Sequence, residues 1–183
     1  MQLTLYFRGD LRSSAGRLDK HQIRQLFHKQ LSAAWNEVPL RHFRHLLNPQ
    51  SPHSLSVLRP FGAYTFAPLV TEKGGTVAEL HLVILRPEPP GSIITQGGDI
   101  DNRVKILLDV LKMPNHPNTL PSDASPQPDE NPFFCLLEDD NLVTGLSVTT
   151  HRLLEAVRNP SEVVILVQVE TKQLAPFVDI IGL

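Results

Sequence analysis

Two short acidic segments carry the residues best suited to chemistry: Gly97-Gly98-Asp99-Ile100-Asp101-Asn102-Arg103-Val104-Lys105 and Leu136-Leu137-Glu138-Asp139-Asp140-Asn141-Leu142-Val143. A phosphodiester is anionic, and its hydrolysis gathers further negative charge on the phosphorus oxygens. Hard divalent cations neutralise that charge and activate water, and Mg2+ is satisfied by few carboxylates because it keeps several of its waters. Asp99 and Asp101 point the same way in an extended segment, or flank the first turn of a helix, where the helix dipole favours carboxylates. Lys105 follows Asp101 by four residues. On a helix it shares that face, placed to pair with a carboxylate or to meet a phosphate and its developing oxyanion. Asn102 caps locally or holds a carboxylate in place.

Each piece has a plainer use. A lone aspartate at a helix start is commoner as an N-cap than as a ligand. Glu138-Asp139-Asp140 by itself is an ordinary solvated turn before a strand. An exposed Asp101–Lys105 contact stabilises by only ~0.3–0.5 kcal/mol. Asp109, amid apolar helical positions, reads as a surface residue or a salt-bridge partner. The combination of the two segments is what points to a metal-dependent phosphodiesterase site, with Glu138 a bystander.

The elements that position these residues follow from apolar periodicity. Leu3, Leu5 and Phe7 alternate and predict an opening strand over Gln2–Phe7, with a turn at Gly9-Asp10. Asp19 is placed to N-cap a helix in which Ile23, Leu26, Phe27, Leu31 and Ala34 recur at helical spacing, and Pro39 stops it. Strands are expected at Tyr64–Val70 and Val77–Leu85, joined by a hairpin turn at Lys73-Gly74-Gly75. A second helix is expected over Asn102–Lys112, with Val104, Leu107, Leu108 and Leu111 inward. Strands are expected at Leu142–Thr150 and Glu162–Val169, with a short helix over Arg152–Val157 between them. Met113–Cys135 contains six of the sixteen prolines and reads as an irregular, mobile insertion. The apolar tail with Phe177, Val178, Ile180, Ile181 and Leu183 is expected to pack on its own domain or on a partner chain. The fold class is α+β: residues 1–183 form a single domain, a small mixed β-sheet packed by two main helices, with the Pro-rich insertion at 113–135.

A chain of 183 residues, 41% hydrophobic, suits one domain with a real core. The single Cys135 allows no internal disulfide, reads as buried rather than nucleophilic, and fits a reducing cytoplasm. The first residues lack the long apolar run of a signal peptide, and no stretch approaches the ~20 apolar residues that span a bilayer. The net charge of −2 conceals an asymmetry. Residues 1–60 hold nine Lys/Arg against three Asp/Glu, and residues 61–183 hold eight against sixteen. A basic first third beside an acidic remainder suits a phosphate-binding surface next to a metal site, and equally suits chance clustering. Phosphate contacts are expected from Arg8, Arg12, Arg17, Lys20, Arg41, Arg44 and Arg103, with Arg24 a further candidate. There is no Gly-rich phosphate loop followed by Lys-Ser/Thr, and no Gly-x-Ser-x-Gly nucleophile elbow.

The Asp99-Ile100-Asp101-Asn102-x-x-Lys105 segment, continued by Asp109-Val110-Leu111 and followed by Glu138-Asp139-Asp140-Asn141-Leu142-Val143, resembles the signature of the RusA-type Holliday-junction resolvases. The resemblance covers roughly residues 60–170. It implies a small mixed α/β domain that acts as a homodimer and cuts branched DNA with Mg2+, or with Mn2+ in its place, in recombination and repair. It implies metal binding by Asp99, Asp101 and Asp140, with Asp139 in support, and a functional lysine at Lys105. The 113–135 insertion and the slightly acidic net charge depart from the family pattern. Two rival readings remain beside it. One is a non-catalytic nucleic-acid- or partner-binding module that keeps the fold. The other is a nucleotide-sugar transferase using Asp-x-Asp on a metal–diphosphate, against which stands the lack of a nucleotide-binding βαβ series.

Overall fold

Alternation of apolar and polar residues builds most of the strands, and their apolar faces define where the helices must lie. In the computed structural model the described residues are 1–12, 14–50, 56–88 and 100–174. The chain runs β1 (Gln2–Asp10), α1 (Arg17–Ala34), β2 (Arg59–Phe61), β3 (Tyr64–Val70), β4 (Thr76–Arg86), α2 (Ile100–Leu111), β5 (Phe133–Leu137), β6 (Val143–Arg152) and β7 (Glu162–Gln173). Short 3-10 turns occupy Leu40–Leu47, Pro117–Thr119 and Asp140–Leu142.

The strands form two sheets where one was expected. The first has the order β1-β7-β4-β6, antiparallel except for the β4–β6 pair, and the second has the order β2-β3-β5, with β3 and β5 parallel. Lys73-Gly74-Gly75 is a tight turn, with Gly75 at φ 60°, but no hairpin results, because β3 and β4 belong to different sheets. Both sheets share one core that joins Leu5, Phe7, Leu82, Ile84, Val167 and Leu136 to Phe27 and Leu31 of α1 and Leu107 and Leu111 of α2. Tyr64, Phe66, Phe133 and Cys135 form a second, mostly aromatic cluster, so the aromatics near residue 64 pack inside.

Four further expectations change. Asp19 does not N-cap α1; the cap is Gly16, and Asp19, one turn in, accepts from the Gly16 N–H at 2.9 Å. Gly9 and Asp10 stay in β1, paired to Val163 and Glu162. No helix forms over residues 152–157. Residues 114–132 are not a loose loop. Arg24 Nη1 and Nη2 donate to the carbonyls of Thr119 and Asp109, and His28 Nε2 meets the Asp129 carbonyl at 3.1 Å. Glu130 is buried and accepts from Gln25 Nε2 at 2.8 Å. Among the described residues no helix is long and apolar enough to cross a membrane. The apolar tail from residue 175 lies outside the described residues.

Candidate active site

Helix α2 carries the site because its two faces differ. Arg103, Val104, Ile106, Leu107, Val110 and Leu111 are buried. Asp101, Lys105, Asp109 and Lys112 recur at spacings of four, four and three, so they share the opposite side as a stripe of alternating charge. Lys105 Nζ lies 2.6 Å from Asp101 Oδ2, with both side chains about two-thirds exposed. Asp109 Oδ2 takes Lys20 Nζ of α1 at 2.7 Å. Lys112 Nζ takes Asp140 Oδ2, also at 2.7 Å. The Asp140 carboxyl is held below the usual carboxylate range, first by its hydrogen bond from Lys112, with burial working against it.

The second acidic segment divides its labour. Glu138 is structural: Arg59 Nε donates to its Oε1, and the Glu72 N–H donates to its Oε2 at 3.0 Å, tying the end of β5 to the β2–β3 sheet. Asp139 caps the following 3-10 turn by accepting from the Asn141 N–H at 3.0 Å. Asp140 alone turns toward α2.

Two halves of the expected ligand set stand apart. Asp101 is in the first turn of α2, and Lys112, eleven residues on, directly follows its last residue. At 1.5 Å per residue, that is about 16 Å along the helix axis. The sheet supplies a second measure. Arg103, in the second turn of α2, lies near Arg86 at the end of β4, whereas Asp140 leads into Val143, which pairs with Ala78 near the start of β4. Asp101 and Asp140 therefore lie toward opposite ends of α2. Among the described residues no three His, Cys, Asp or Glu side chains gather into a metal cluster. Asp99 lies outside the described residues.

The expected phosphate contacts also separate. Arg103 is 2% exposed and 3.7 Å from Glu88, and burial pushes its pKa down; it faces the interior, which corrects its placement on a DNA-binding surface. Arg8 is clamped between Glu155 at 2.6 Å and Glu162 at 2.9 Å, and Arg12 pairs with Asp10 at 3.3 Å, so neither presents a clear cationic platform. Arg17, Arg41 and Arg44 are exposed, with Arg44 Nη1 donating to Asn36 Oδ1. Lys20 remains half-buried beside Asp109.

No protein-family model, curated protein or solved structure matches the chain. Lys112 is the member of the stripe that pattern reading passed over. Its signal was its spacing, three residues after Asp109 and seven after Lys105. Its counterpart Asp140 is far away in sequence, so only the fold could join them.

Proposed function

We propose that the protein is a Mg2+-dependent endonuclease acting on branched DNA, a RusA-type Holliday-junction resolvase working as a homodimer. The observation that carries this reading is the start of α2, where Asp101 and Lys105 stand exposed and side by side in the Asp-Ile-Asp-Asn-x-x-Lys order. An exposed carboxylate of this kind suits Mg2+, which binds through one or two carboxylates, its own waters and substrate phosphate. Asp101 and its neighbour Asp99 would hold the ion, which would supply charge neutralisation and an activated water. Lys105 pairs with Asp101 at the exposed start of α2, where its ammonium would meet a phosphate oxygen beside the ion. Asp140, at the other end of α2, holds Lys112.

One observation favours the second reading, a module that binds nucleic acid without cutting it: the separation of Asp101 from Asp140. A labelled four-way junction and a linear duplex of the same sequence, each with Mg2+ and with EDTA, decide between them. The nuclease reading expects cuts in the junction only, with Mg2+ only. Retention of the junction without any cutting in Mg2+ or Mn2+ establishes the binding module instead.

A further inference from the structure

We infer that the cleft between the start of α1 and the end of α2 binds the backbone phosphates of the nucleic acid. The inference rests on the nucleic-acid reading above and not on cutting. The cleft has a volume of about 300 Å3. Its charged lining is Arg17, Lys20, Arg24 and Lys112 against the single carboxylate of Asp109, with the Asn118 amide beside them. With Asp140 held against Lys112 from outside the lining, four cations meet two carboxylates, and the surplus of positive charge in a concave surface draws a polyanion. In a chain of net charge −2 such a surplus is local.

Three details show how a phosphate would be met. Arg24 is 4% exposed, its two terminal nitrogens are spent on the carbonyls of Thr119 and Asp109, and its Nε has no partner. It supplies buried, fixed positive charge that no carboxylate bonds directly. Arg17, the first residue of α1, is exposed and engages in no ion pair among the described residues. Lys20 and Lys112 are each held by one aspartate at 2.7 Å, so their ammonium groups are kept at the cleft while remaining able to share a second anion. The start of the 18-residue α1 also opens here, and its dipole adds to the attraction. Lys112 is about 16 Å from Asp101 along α2, or roughly five base steps at 3.4 Å per step along a duplex. The cleft is thus a hold on the nucleic acid several phosphates away from the start of α2.

The test is fluorescence anisotropy of the labelled four-way junction in EDTA, from about 50 to about 200 mM salt. Wild-type affinity should fall steeply with salt. Arg17→Gln/Lys20→Gln should bind at least about tenfold more weakly, with a log–log slope shallower by roughly two, near 0.9 for each phosphate no longer neutralised. Arg17→Gln alone alters one exposed side chain and should fold as wild type with the slope shallower by about one. Unchanged affinity and slope in both variants overturns the inference, as does Arg41→Gln/Arg44→Gln removing the salt dependence by itself. Cutting is read separately in Mg2+. A shallower slope without any cutting keeps the cleft and ends the nuclease reading; normal cutting with an unaltered slope does the reverse.

Discussion

Helices α1 and α2 each carry a polar ridge, and the two ridges are built differently. On α1, His21, Arg24 and His28 are buried and lie on one side at spacings of three and four. Most of their partners are main-chain groups of the insertion and of β5: the carbonyls of Thr119 and Asp129, and the Phe134 N–H, which donates to His28 Nδ1 at 2.9 Å. Along α2 and just past its end, Asp101, Lys105, Asp109 and Lys112 form ion pairs between side chains, of which Asp101–Lys105 is well exposed and Lys112 is largely covered. A buried group bonded to the backbone leaves an unsatisfied polar atom when its partner goes, at about 1–3 kcal/mol. An exposed ion pair opens for less than about 1 kcal/mol. The first arrangement holds the fold, and the second keeps its charges ready for a ligand.

The contrast breaks most visibly at Phe133, whose ring packs tilted against His28 with centroids 4.6 Å apart and which is 1% exposed. Phe133→Ala should lose about 3–5 kcal/mol in denaturant unfolding. His28→Phe keeps the ring but leaves the Phe134 N–H buried without its acceptor, and should lose about 1–3 kcal/mol. A smaller effect is expected from acid. Burial lowers the pKa of His21 and of His28 below the usual histidine value. The unfolded chain then binds protons that the folded chain refuses. The stability contributed is whole above the ordinary histidine pKa near ~6.5 and is lost as pH falls from there toward the lowered folded values. Denaturant midpoints across that window should decline in the wild type and decline less in His28→Phe. Smallest of all, Lys105→Gln should shift unfolding by no more than about 0.5 kcal/mol. A large loss there would erase the distinction between the two ridges.

Much of this was readable from apolar spacing. The span Tyr64–Val70 is a strand end to end, and α2 lies within two residues of its expected start. What pattern could not show was partnership across the chain. The turn at Gly74-Gly75 looks like a hairpin because local sequence does not say that β3 will pair with β5, some 70 residues on. The prolines of residues 114–132 suggested looseness, since proline removes donors, yet this segment is held by its carbonyls, which proline leaves intact. Arg103 looked like a surface cation because its burial depends on the α2 face that Val104 and Leu107 also use. The two acidic segments were recognisable by composition and their motif order. That they end up at opposite ends of α2 follows from the packing of β5 alongside the end of that helix, where the Met113 N–H meets the Leu137 carbonyl at 2.9 Å.

In the proposed function the charged start of α2 serves chemistry and not stability. The decisive experiment is single-turnover cutting of a four-way junction in Mg2+ by wild type and Asp101→Asn, with the unfolding midpoint of each protein. The expected result is a loss of at least about 100-fold in cutting, some 2.7 kcal/mol of transition-state stabilisation, with midpoints that coincide. Equal cutting by both proteins, or a lower midpoint that accounts for the lost activity, would contradict it.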